Sequence, residues 1–306
     1  MVKAELKPLL EKLGVTPSKR LGQNFLVDDQ FRAKILHEAD PKPGQTVLEI
    51  GPGLGAITRG LVASGADITA IEFDRKLAEY LRTAVVPLGL HLIEADACRV
   101  KYDELFPGDF RVISNLPYSA GTIVIAKLLD LETPPSDMLL MLQKEVAERF
   151  LAAPGTADYS ALTVRISAVY EGRIVRMVPP EVFYPEPSVE SALFALVRKP
   201  VVPPRDIRII LSRLARTSFA HRRKKMFKQA ASVFGTDMIS AAMADASVDP
   251  DIRAERVTPD QFIRMAEFIA AHGQNQAETQ MVDHSGEEED GAKEDGAKED
   301  GAPVAD

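Results

Sequence analysis

Cysteine is nearly absent from this sequence. Cys98 is the single cysteine among 306 residues, which excludes an internal disulfide framework and a metal site built from a cysteine cluster. Long apolar runs are also missing, since none approaches the roughly 20 residues that a membrane helix needs. Residues 1–12 are charged rather than signal-like. We therefore expect a cytoplasmic protein with no membrane span and no metal ion.

Negative charge is unevenly distributed along the chain. The formal net charge is −8, but residues 273–306 hold eleven acidic side chains against two lysines, so the rest of the chain carries +1. This C-terminal segment also repeats Gly-Ala-Lys-Glu-Asp, starting at Gly291 and Gly296. Such a composition buries almost no apolar surface, so we expect residues 273–306 to be a disordered acidic tail.

Positive charge is concentrated in residues 198–228, which hold eleven lysines or arginines against the single acid Asp206. A solvated helix face is one explanation for a charge run. Here one sign is nearly exclusive, which favours a polyanionic partner and, among those, nucleic acid. The side chains expected to bind RNA are Arg222, Arg223, Lys224 and Lys225.

Apolar segments and helical segments alternate in the first part of the chain. Residues 46–50, 68–72, 90–93, 110–114 and 138–142 have the apolar runs typical of buried strands. Helical patterns separate them, which predicts an α/β fold with a doubly wound, mostly parallel sheet.

Two more strands, at residues 162–170 and 192–198, are expected to pair antiparallel and complete a seven-stranded sheet, because no long helical pattern separates them. After residue 203 only helical patterns follow. We therefore expect an α/β domain over residues 1–200, which begins with an N-terminal lead segment, residues 1–31. A small helical RNA-binding domain would occupy residues 201–272.

A glycine-rich turn follows the first strand of this pattern. Gly51 and Gly53 would expose backbone N–H groups at the start of the next helix, where a ligand can approach closely. Glu72 ends the second strand and could accept the ribose hydroxyls of a nucleotide cofactor. Asp96 follows the third strand and could accept an adenine amine. The spacing to Ala56 also satisfies the dinucleotide fingerprint, so nicotinamide and S-adenosylmethionine cofactors are equally supported by these residues.

The tetrapeptide Asn115-Leu116-Pro117-Tyr118 separates the two cofactors. The asparagine side chain and a neighbouring backbone carbonyl can accept the protons of an exocyclic amine, and the tyrosine ring can stack on an extruded base. This set has no obvious use in hydride transfer and favours methylation of an adenine amine, with positioning rather than a strong base as the source of rate. Phe183, in a proline-stiffened loop, is a candidate for the second face of the base clamp.

Five motifs occur in one order within residues 13–271. They are Gln23-Asn24-Phe25-Leu26, Glu49-Ile50-Gly51-Pro52-Gly53-Leu54-Gly55, Asn115-Leu116-Pro117-Tyr118, Phe183-x-Pro185-x-Pro187 and Phe219-x-x-Arg222-Arg223-Lys224. In these motifs the chain resembles the ribosomal RNA adenine dimethylase family, most of all its bacterial small-subunit members.

The resemblance implies a Rossmann-like class I methyltransferase with a C-terminal helical domain, acting as a monomer. It implies dimethylation of two adjacent adenines in the 3′-terminal hairpin of 16S rRNA, on the assembling 30S particle, with S-adenosylmethionine as cofactor. The residues that this family would use to line the cofactor site are Asn24, Leu26, Gly51, Glu72, Asp96 and Asn115.

Three other functions stay open at this point. A large-subunit adenine methyltransferase of the macrolide-resistance type would share the fold, but the C-terminal domain of about 70 residues favours the small-subunit enzymes. A non-catalytic RNA-binding assembly factor would not need Asn115 and Tyr118. A nicotinamide dehydrogenase would need a histidine or a tyrosine and lysine pair at the hydride site, and none can be assigned.

Overall fold

The protein is described by a computed structural model that covers residues 3–18, 21–221 and 224–283. Within these ranges the chain forms two sheets. A seven-stranded sheet makes the centre of the molecule, and a two-stranded sheet lies beside it. The predicted RNA-binding residues Arg222 and Arg223, and residues 284–306 of the predicted acidic tail, lie outside the described residues.

The strands follow in chain order. They are β1 (Phe25–Leu26), β2 (Thr46–Ile50), β3 (Asp67–Glu72), β4 (His91–Glu94), β5 (Arg111–Asn115), β6 (Asp137–Gln143), β7 (Tyr170–Val178), β8 (Phe183–Tyr184) and β9 (Ser191–Arg198).

The helices occupy the segments between and after these strands. They are α1 (Lys3–Leu13), α2 (Asp29–Ala39), α3 (Thr58–Ala63), α4 (Arg75–Ala84), α5 (Tyr102–Leu105), α6 (Gly121–Leu128), α7 (Lys144–Phe150), α8 (Ala161–Val169), α9 (Arg205–Phe219), α10 (Met226–Phe234), α11 (Thr236–Asp245) and α12 (Pro259–Asp283).

The central sheet has the strand order β4-β3-β2-β5-β6-β9-β7. Strands β2 to β6 are parallel to one another, whereas β9 is antiparallel to both β6 and β7. This confirms the predicted doubly wound, mostly parallel sheet of seven strands. The strand order reverses at β2 and β5, and in such sheets ligands bind in the crevice beyond the carboxyl ends of those strands.

Both faces of the central sheet are buried. Adjacent residues of one strand belong to different hydrophobic clusters, as Val112 and Ile113 of β5 and Leu139 and Leu140 of β6 illustrate. Side chains alternate between the faces of a strand, so a sheet covered on both sides needs apolar residues at every position. This is why the strands of this sheet read as continuous apolar runs.

One predicted strand was wrong. Residues 162–170 form most of helix α8, and the antiparallel partner of β9 is the following segment, β7. A capping box between Ser160 and Thr163 starts the helix by satisfying its first N–H groups. Helix α8 is buried almost all round, so it has no polar face. Without a polar face, its sequence lacks the amphipathic pattern that indicates a helix, and its β-branched residues suggested a strand.

The C-terminal helices share a hydrophobic core with the sheet. Val112 of the sheet, Val164 of α8, Leu211 of α9 and Phe262 of α12 belong to one cluster. The predicted division near residue 200 therefore separates the α/β part of the chain from the all-helical part, without separating two independent cores. Within the described residues, no helix has both the length and the apolarity needed to cross a membrane.

The last helix is longer than expected. Helix α12 continues to Asp283, past the predicted start of the acidic tail at Gly273, and the disorder of that tail stays a prediction. A single internal glycine costs a helix only about 1 kcal/mol, and no proline follows it before residue 284. The glycine therefore did not mark the end of this helix.

Candidate active site

A cavity of about 270 Å³ opens at the carboxyl ends of β2, β3 and β5, where the strand order reverses. It collects residues from segments far apart in the sequence, including the lead segment, the glycine loop and the turn after β5. Most of the predicted cofactor and base-binding residues line it. These are Asn24, Leu26, Gly51, Gly53, Glu72, Asp96, Asn115, Leu116 and Tyr118.

The glycine loop, residues 51–55, faces the cavity and also packs against other segments of the protein. Gly51 and Gly53 have φ angles of 66° and 61°, which favour glycine over residues with side chains. A Cβ atom on Gly51 would lie 2.8 Å from Cγ of Pro117, and one on Gly53 would lie 3.3 Å from Cδ1 of Phe25. The glycines therefore let the tetrapeptide and the lead segment pack against the loop.

Glu72 joins the glycine loop to the end of β3. Its Oε2 accepts a hydrogen bond from the backbone N–H of Gly53 at 3.0 Å, and its Oε1 accepts one from Asp74 at 2.8 Å. Burial raises the pKa of Glu72 to about 7. A carboxylate has about four lone-pair sites, so Glu72 can accept further hydrogen bonds from a ligand.

Glu49 is a cavity residue that the sequence analysis did not single out. It is 2 % exposed, its Oε2 has no hydrogen-bond partner, and burial raises its pKa to about 8. The sequence did contain a signal, because an acidic side chain in the middle of an apolar, doubly buried strand is costly unless a partner compensates it. Glu49 and Glu72 together make one wall of the cavity acidic.

Asp96 lies at another part of the cavity wall. Its Oδ1 accepts a hydrogen bond from the backbone N–H of Cys98 at 2.9 Å, and Arg99 lies 3.5 Å from its Oδ2. The side chain is 37 % exposed, so part of it remains accessible to a ligand. Asp96 closes a turn after β4 rather than capping a helix.

Asn115 is the last residue of β5, and a hydrogen bond to the lead segment orients its side chain. The Nδ2 group donates to the backbone carbonyl of Asn24 at 3.3 Å. Because Nδ2 is the donor end of the amide, this bond leaves the Oδ1 carbonyl as the available acceptor. The lead segment thus sets the orientation of a residue 91 positions away in sequence.

Tyr118 ends the tetrapeptide with a half-buried ring. Its hydroxyl lies 2.6 Å from Oγ of Ser191, the first residue of β9. Burial raises the pKa of the Tyr118 phenol, so the hydroxyl stays protonated at neutral pH. The backbone of Tyr118 contacts the lead segment closely, since a Cβ atom on Gly22 would lie 2.7 Å from the Tyr118 nitrogen.

The structure places Phe183 away from the cavity. Strand β8 pairs antiparallel with β1, with Phe183 opposite Leu26, and the Phe183 ring has 0 % exposure within the second hydrophobic cluster. A ring without exposed surface cannot stack on a base. Phe183 therefore supports β1 from behind, and its assignment to the base clamp was wrong for this arrangement.

The lead segment covers the cavity from one side. Leu6 and Leu10 of α1 pack with Phe25 and Leu54 in a third hydrophobic cluster. Gln23 adds a polar attachment, because its Nε2 donates to Asp74 Oδ2 at 3.1 Å. The segment that carries the first motif is therefore part of the site wall.

Several cations of the basic segment 198–228 bind within the protein. Arg208 is 5 % exposed and donates to the backbone carbonyls of Leu129, Leu131 (2.7 Å) and Glu132 (3.2 Å). Three more cations of this segment bind acids or carbonyls of the sheet region, namely Arg198, Lys199 and Arg205. The charge count of the sequence therefore overstates the positive charge available to a partner.

Most of the exposed cations in the described part of this segment lie from Arg213 onward. Lys224 is exposed, and Lys225 is exposed while pairing with Asp251 at 2.6 Å. Of the four predicted RNA-binding residues, these two are described, and both are at the surface. Their role in RNA binding stays a prediction, as does that of Arg222 and Arg223.

The described cavity suits a nucleoside-containing ligand placed beside a second, planar ligand. Acidic acceptors at the ends of β3 and β4 can receive hydroxyl and amine protons of the first ligand. The Asn115 carbonyl and the Tyr118 ring, at the end of β5, can receive an amine and a flat ring of the second. The two sets share one cavity, so the ligands would be in contact.

The chain matches the family model described as ribosomal RNA adenine dimethylase over residues 15–271. Its relatives include proteins named ribosomal RNA small subunit methyltransferase A. The one from Magnetococcus marinus is 39% identical over 85% of this chain and 95% of its own length. The one from Moorella thermoacetica is 37% identical, with the same coverage of both chains.

Solved structures share the fold. The crystal structure of a dimethyladenosine transferase from Plasmodium falciparum has a TM-score of 0.64 and 22% identity, covering 81% of this chain and 98% of its own. The crystal structure of the 23S rRNA methyltransferase ErmE has a TM-score of 0.59 and 25% identity, covering 81% of this chain and 100% of its own. Both support a class I methyltransferase fold.

Proposed function

Because the chain belongs to the ribosomal RNA adenine dimethylase family, we propose that it dimethylates two adjacent adenines in the 3′-terminal hairpin of 16S rRNA. S-adenosylmethionine would be the methyl donor. The observation that carries this proposal is the orientation of Asn115, whose amide is fixed by the Asn24 carbonyl so that its own carbonyl can accept an adenine amine.

The residues of the cavity fit S-adenosylmethionine. Glu72 would accept the ribose hydroxyls, and Asp96 would accept the adenine amine of the cofactor. The buried Oε2 of Glu49 lacks a partner, and it offers an acceptor to a cationic ligand. Asn24, Leu26, Gly51 and Gly53 would complete the wall around the cofactor. When bound, S-adenosylmethionine supplies a methyl group on a positively charged sulfur.

The protein's contribution to the reaction would be the alignment of the substrate amine. The lone pair of an adenine amine is delocalised into the ring, which makes it a poor nucleophile. Hydrogen bonds from both amine protons, one to Asn115 Oδ1 and one to the backbone carbonyl of Leu116 or Pro117, would favour the geometry in which the lone pair faces the methyl group. Alignment of this kind is worth about 7 to 11 kcal/mol in favourable cases.

The target adenine would have to leave its helix or loop to reach this cavity. Tyr118 offers a half-buried ring on which an extruded base can stack, which is worth about 1 to 3 kcal/mol per base. Lys224 and Lys225, together with Arg222 and Arg223, would bind the phosphates of the surrounding RNA. The base-binding group is thus Asn115, Leu116 and Tyr118, without Phe183.

We also propose the assembling 30S particle as the partner, with the protein acting as a monomer in the cytoplasm. The relatives named as small-subunit methyltransferases support this setting, since each is covered almost completely by the match. The large-subunit alternative is supported by the structural likeness to ErmE, at lower identity. The fold and cavity are compatible with either substrate, so the choice depends on the RNA that is modified.

Incubation with labelled S-adenosylmethionine and unmethylated small subunits tests the proposal, with large subunits as the matched substrate. We expect label only in small subunits, and mapping of the modified nucleotides should give two adjacent adenines near the 3′ end of the RNA. Label in large-subunit RNA instead would favour the macrolide-resistance type. Binding of small subunits without any methyl transfer would favour an assembly factor.

A further inference from the structure

We propose that Ser191 is a positioning residue that holds the ring of Tyr118 in the plane required for stacking on the target base. This inference rests on the proposed function, because it concerns the same base-binding group. Ser191 lies 73 positions after Tyr118 and comes from the antiparallel part of the sheet. None of the roles considered above includes it.

The contact between the two residues is short and enclosed. The Tyr118 hydroxyl and Ser191 Oγ are 2.6 Å apart, which is close for a hydrogen bond between two hydroxyls. Ser191 has 0 % exposure, so water does not compete for its Oγ. Among the described residues, Tyr118 makes no other side-chain hydrogen bond, and its hydroxyl therefore has one fixed partner.

Ser191 is held by the central sheet on both sides. It is the first residue of β9 and is paired with Gln143 of β6 on one side and with Val178 of β7 on the other. Tyr118, by contrast, belongs to a turn between β5 and α6. The hydrogen bond therefore connects a residue of the turn to a residue fixed by two neighbouring strands.

A ring that serves as a stacking surface benefits from such a connection. The second side-chain torsion of tyrosine is broad, so packing and hydrogen bonds decide the plane of the ring. A ring held in the stacking orientation before the base arrives loses less freedom on binding. Burial keeps the phenol protonated, so the hydrogen bond persists across the neutral pH range.

A double-mutant cycle tests the connection directly. Ser191→Ala and Tyr118→Phe each remove one hydroxyl of the pair, and each should lower kcat/KM for the RNA about three- to tenfold, the cost of one ordinary hydrogen bond. Tyr118→Ala removes the stacking surface as well and should cost about 5- to 150-fold. The double variant Ser191→Ala with Tyr118→Phe should be no worse than either single variant.

Ser136→Ala is the matched control. Its hydroxyl also bonds to a neighbouring segment, the backbone carbonyl of Phe110, but it precedes β6 at the opposite end of the sheet. Affinity for S-adenosylmethionine should stay unchanged in Ser191→Ala, because Ser191 does not line the cavity. Unchanged turnover in Ser191→Ala, or effects that multiply in the double variant, would overturn the proposal.

A spectroscopic readout separates this proposal from the proposed function. With ring-labelled tyrosine, the NMR signal of Tyr118 can be assigned among the six tyrosines by its loss in Tyr118→Phe. Ser191→Ala should shift or broaden that signal and leave the other five in place. An unmoved Tyr118 signal would refute the connection even in an active enzyme. Inactivity of the wild-type protein on small subunits, with the expected NMR change, would refute the proposed function alone.

Discussion

Predicted functional residues have different fates in two regions of the molecule. One region is the cavity at the carboxyl ends of the strands, and the other is the basic segment 198–228. In the cavity, residues from three of the five motifs face one space together with Glu72 and Asp96, and most predicted site residues line it. In the basic segment, cations that look alike in sequence divide into two groups. Arg208 is buried among carbonyls, whereas Lys224 is exposed.

The difference has a physical cause. Chain geometry places the carboxyl ends of parallel strands at one edge of a sheet, so polar residues that end successive strands must lie near each other. No such constraint acts on a helix, where side chains point all round the axis and residues two positions apart face nearly opposite directions. A run of cations on α9 therefore faces both the sheet and the solvent.

Asn115→Ala should have the largest effect and tests the cavity side of the comparison. Loss of one preorganised polar group at a reacting centre typically costs about 10²- to 10³-fold in rate, and we expect a loss of that size in methyl transfer. Binding of small subunits, measured separately, serves as the control and should be retained. Unaltered turnover would remove Asn115 from the mechanism.

Arg208→Met tests whether the buried cations of the basic segment stabilise the folded protein. The variant leaves the carbonyls of Leu129 and Leu131 without their donor, and each such buried group costs about 1 to 3 kcal/mol. We expect the free energy of unfolding in urea to fall by about 2 to 4 kcal/mol. Arg216→Met is the matched control on the same helix, since Arg216 is exposed and bonds to Ser212 of its own helix. Equal losses of unfolding free energy in both variants would contradict the division of the cations into buried, stabilising residues and exposed residues.

Reversal of Arg222, Arg223 and Lys224 to glutamate tests the surface cations. If the three side chains bind phosphates, the plot of log affinity against log salt concentration should become shallower. The magnitude of its slope should decrease by about 2, because each contact to single-stranded RNA contributes about 0.7. Salt-dependent RNA binding measures the slope.

The same change of net charge can be placed elsewhere as a control for the basic cluster. Lys34, Lys42 and Arg82 are exposed residues outside the segment 198–228. Their reversal to glutamate should weaken RNA binding less and leave most of the salt slope in place. A slope that responds equally to both sets would mean that overall charge, rather than this cluster, determines the affinity.

A further prediction concerns the pH dependence of stability. Burial raises the pKa of Glu49 from 4.5 to about 8 and that of Glu72 from 4.5 to about 7. Between pH 4.5 and about 8, the folded protein therefore binds more protons than the unfolded chain. The free energy of unfolding should therefore decrease as pH rises from about 4.5 to about 8.

Glu49→Gln keeps a neutral side chain of the same shape and should flatten this decrease, as measured by thermal unfolding at several pH values without ligand. Glu79→Gln, at an exposed position of α4, is the matched control and should leave the pH dependence unchanged. An identical decrease in wild type and Glu49→Gln would show that the buried carboxyl does not titrate in this range.

Much of the fold followed from local patterns. The apolar runs identified five parallel strands, and the ordered motifs identified the residues of the cavity. Helix α8 was missed because it is buried on all sides, which removes the amphipathic signal that sequence reading depends on. Glu49 was missed although its position in an apolar strand is unusual. Phe183 was misassigned because an aromatic residue near a motif does not reveal which face of its strand is buried.

The sequence by itself determined the alternation of strands and helices, the positions of the strand ends and the chemical identity of the residues placed there, because these depend on local propensity and on the period of side chains. Only the tertiary structure decided which atoms meet. The bond from Asn115 to Asn24, the contact of Tyr118 with Ser191 and the burial of Arg208 join segments 73 to 91 residues apart. Such contacts depend on how the packed elements are oriented in space, which no local pattern encodes.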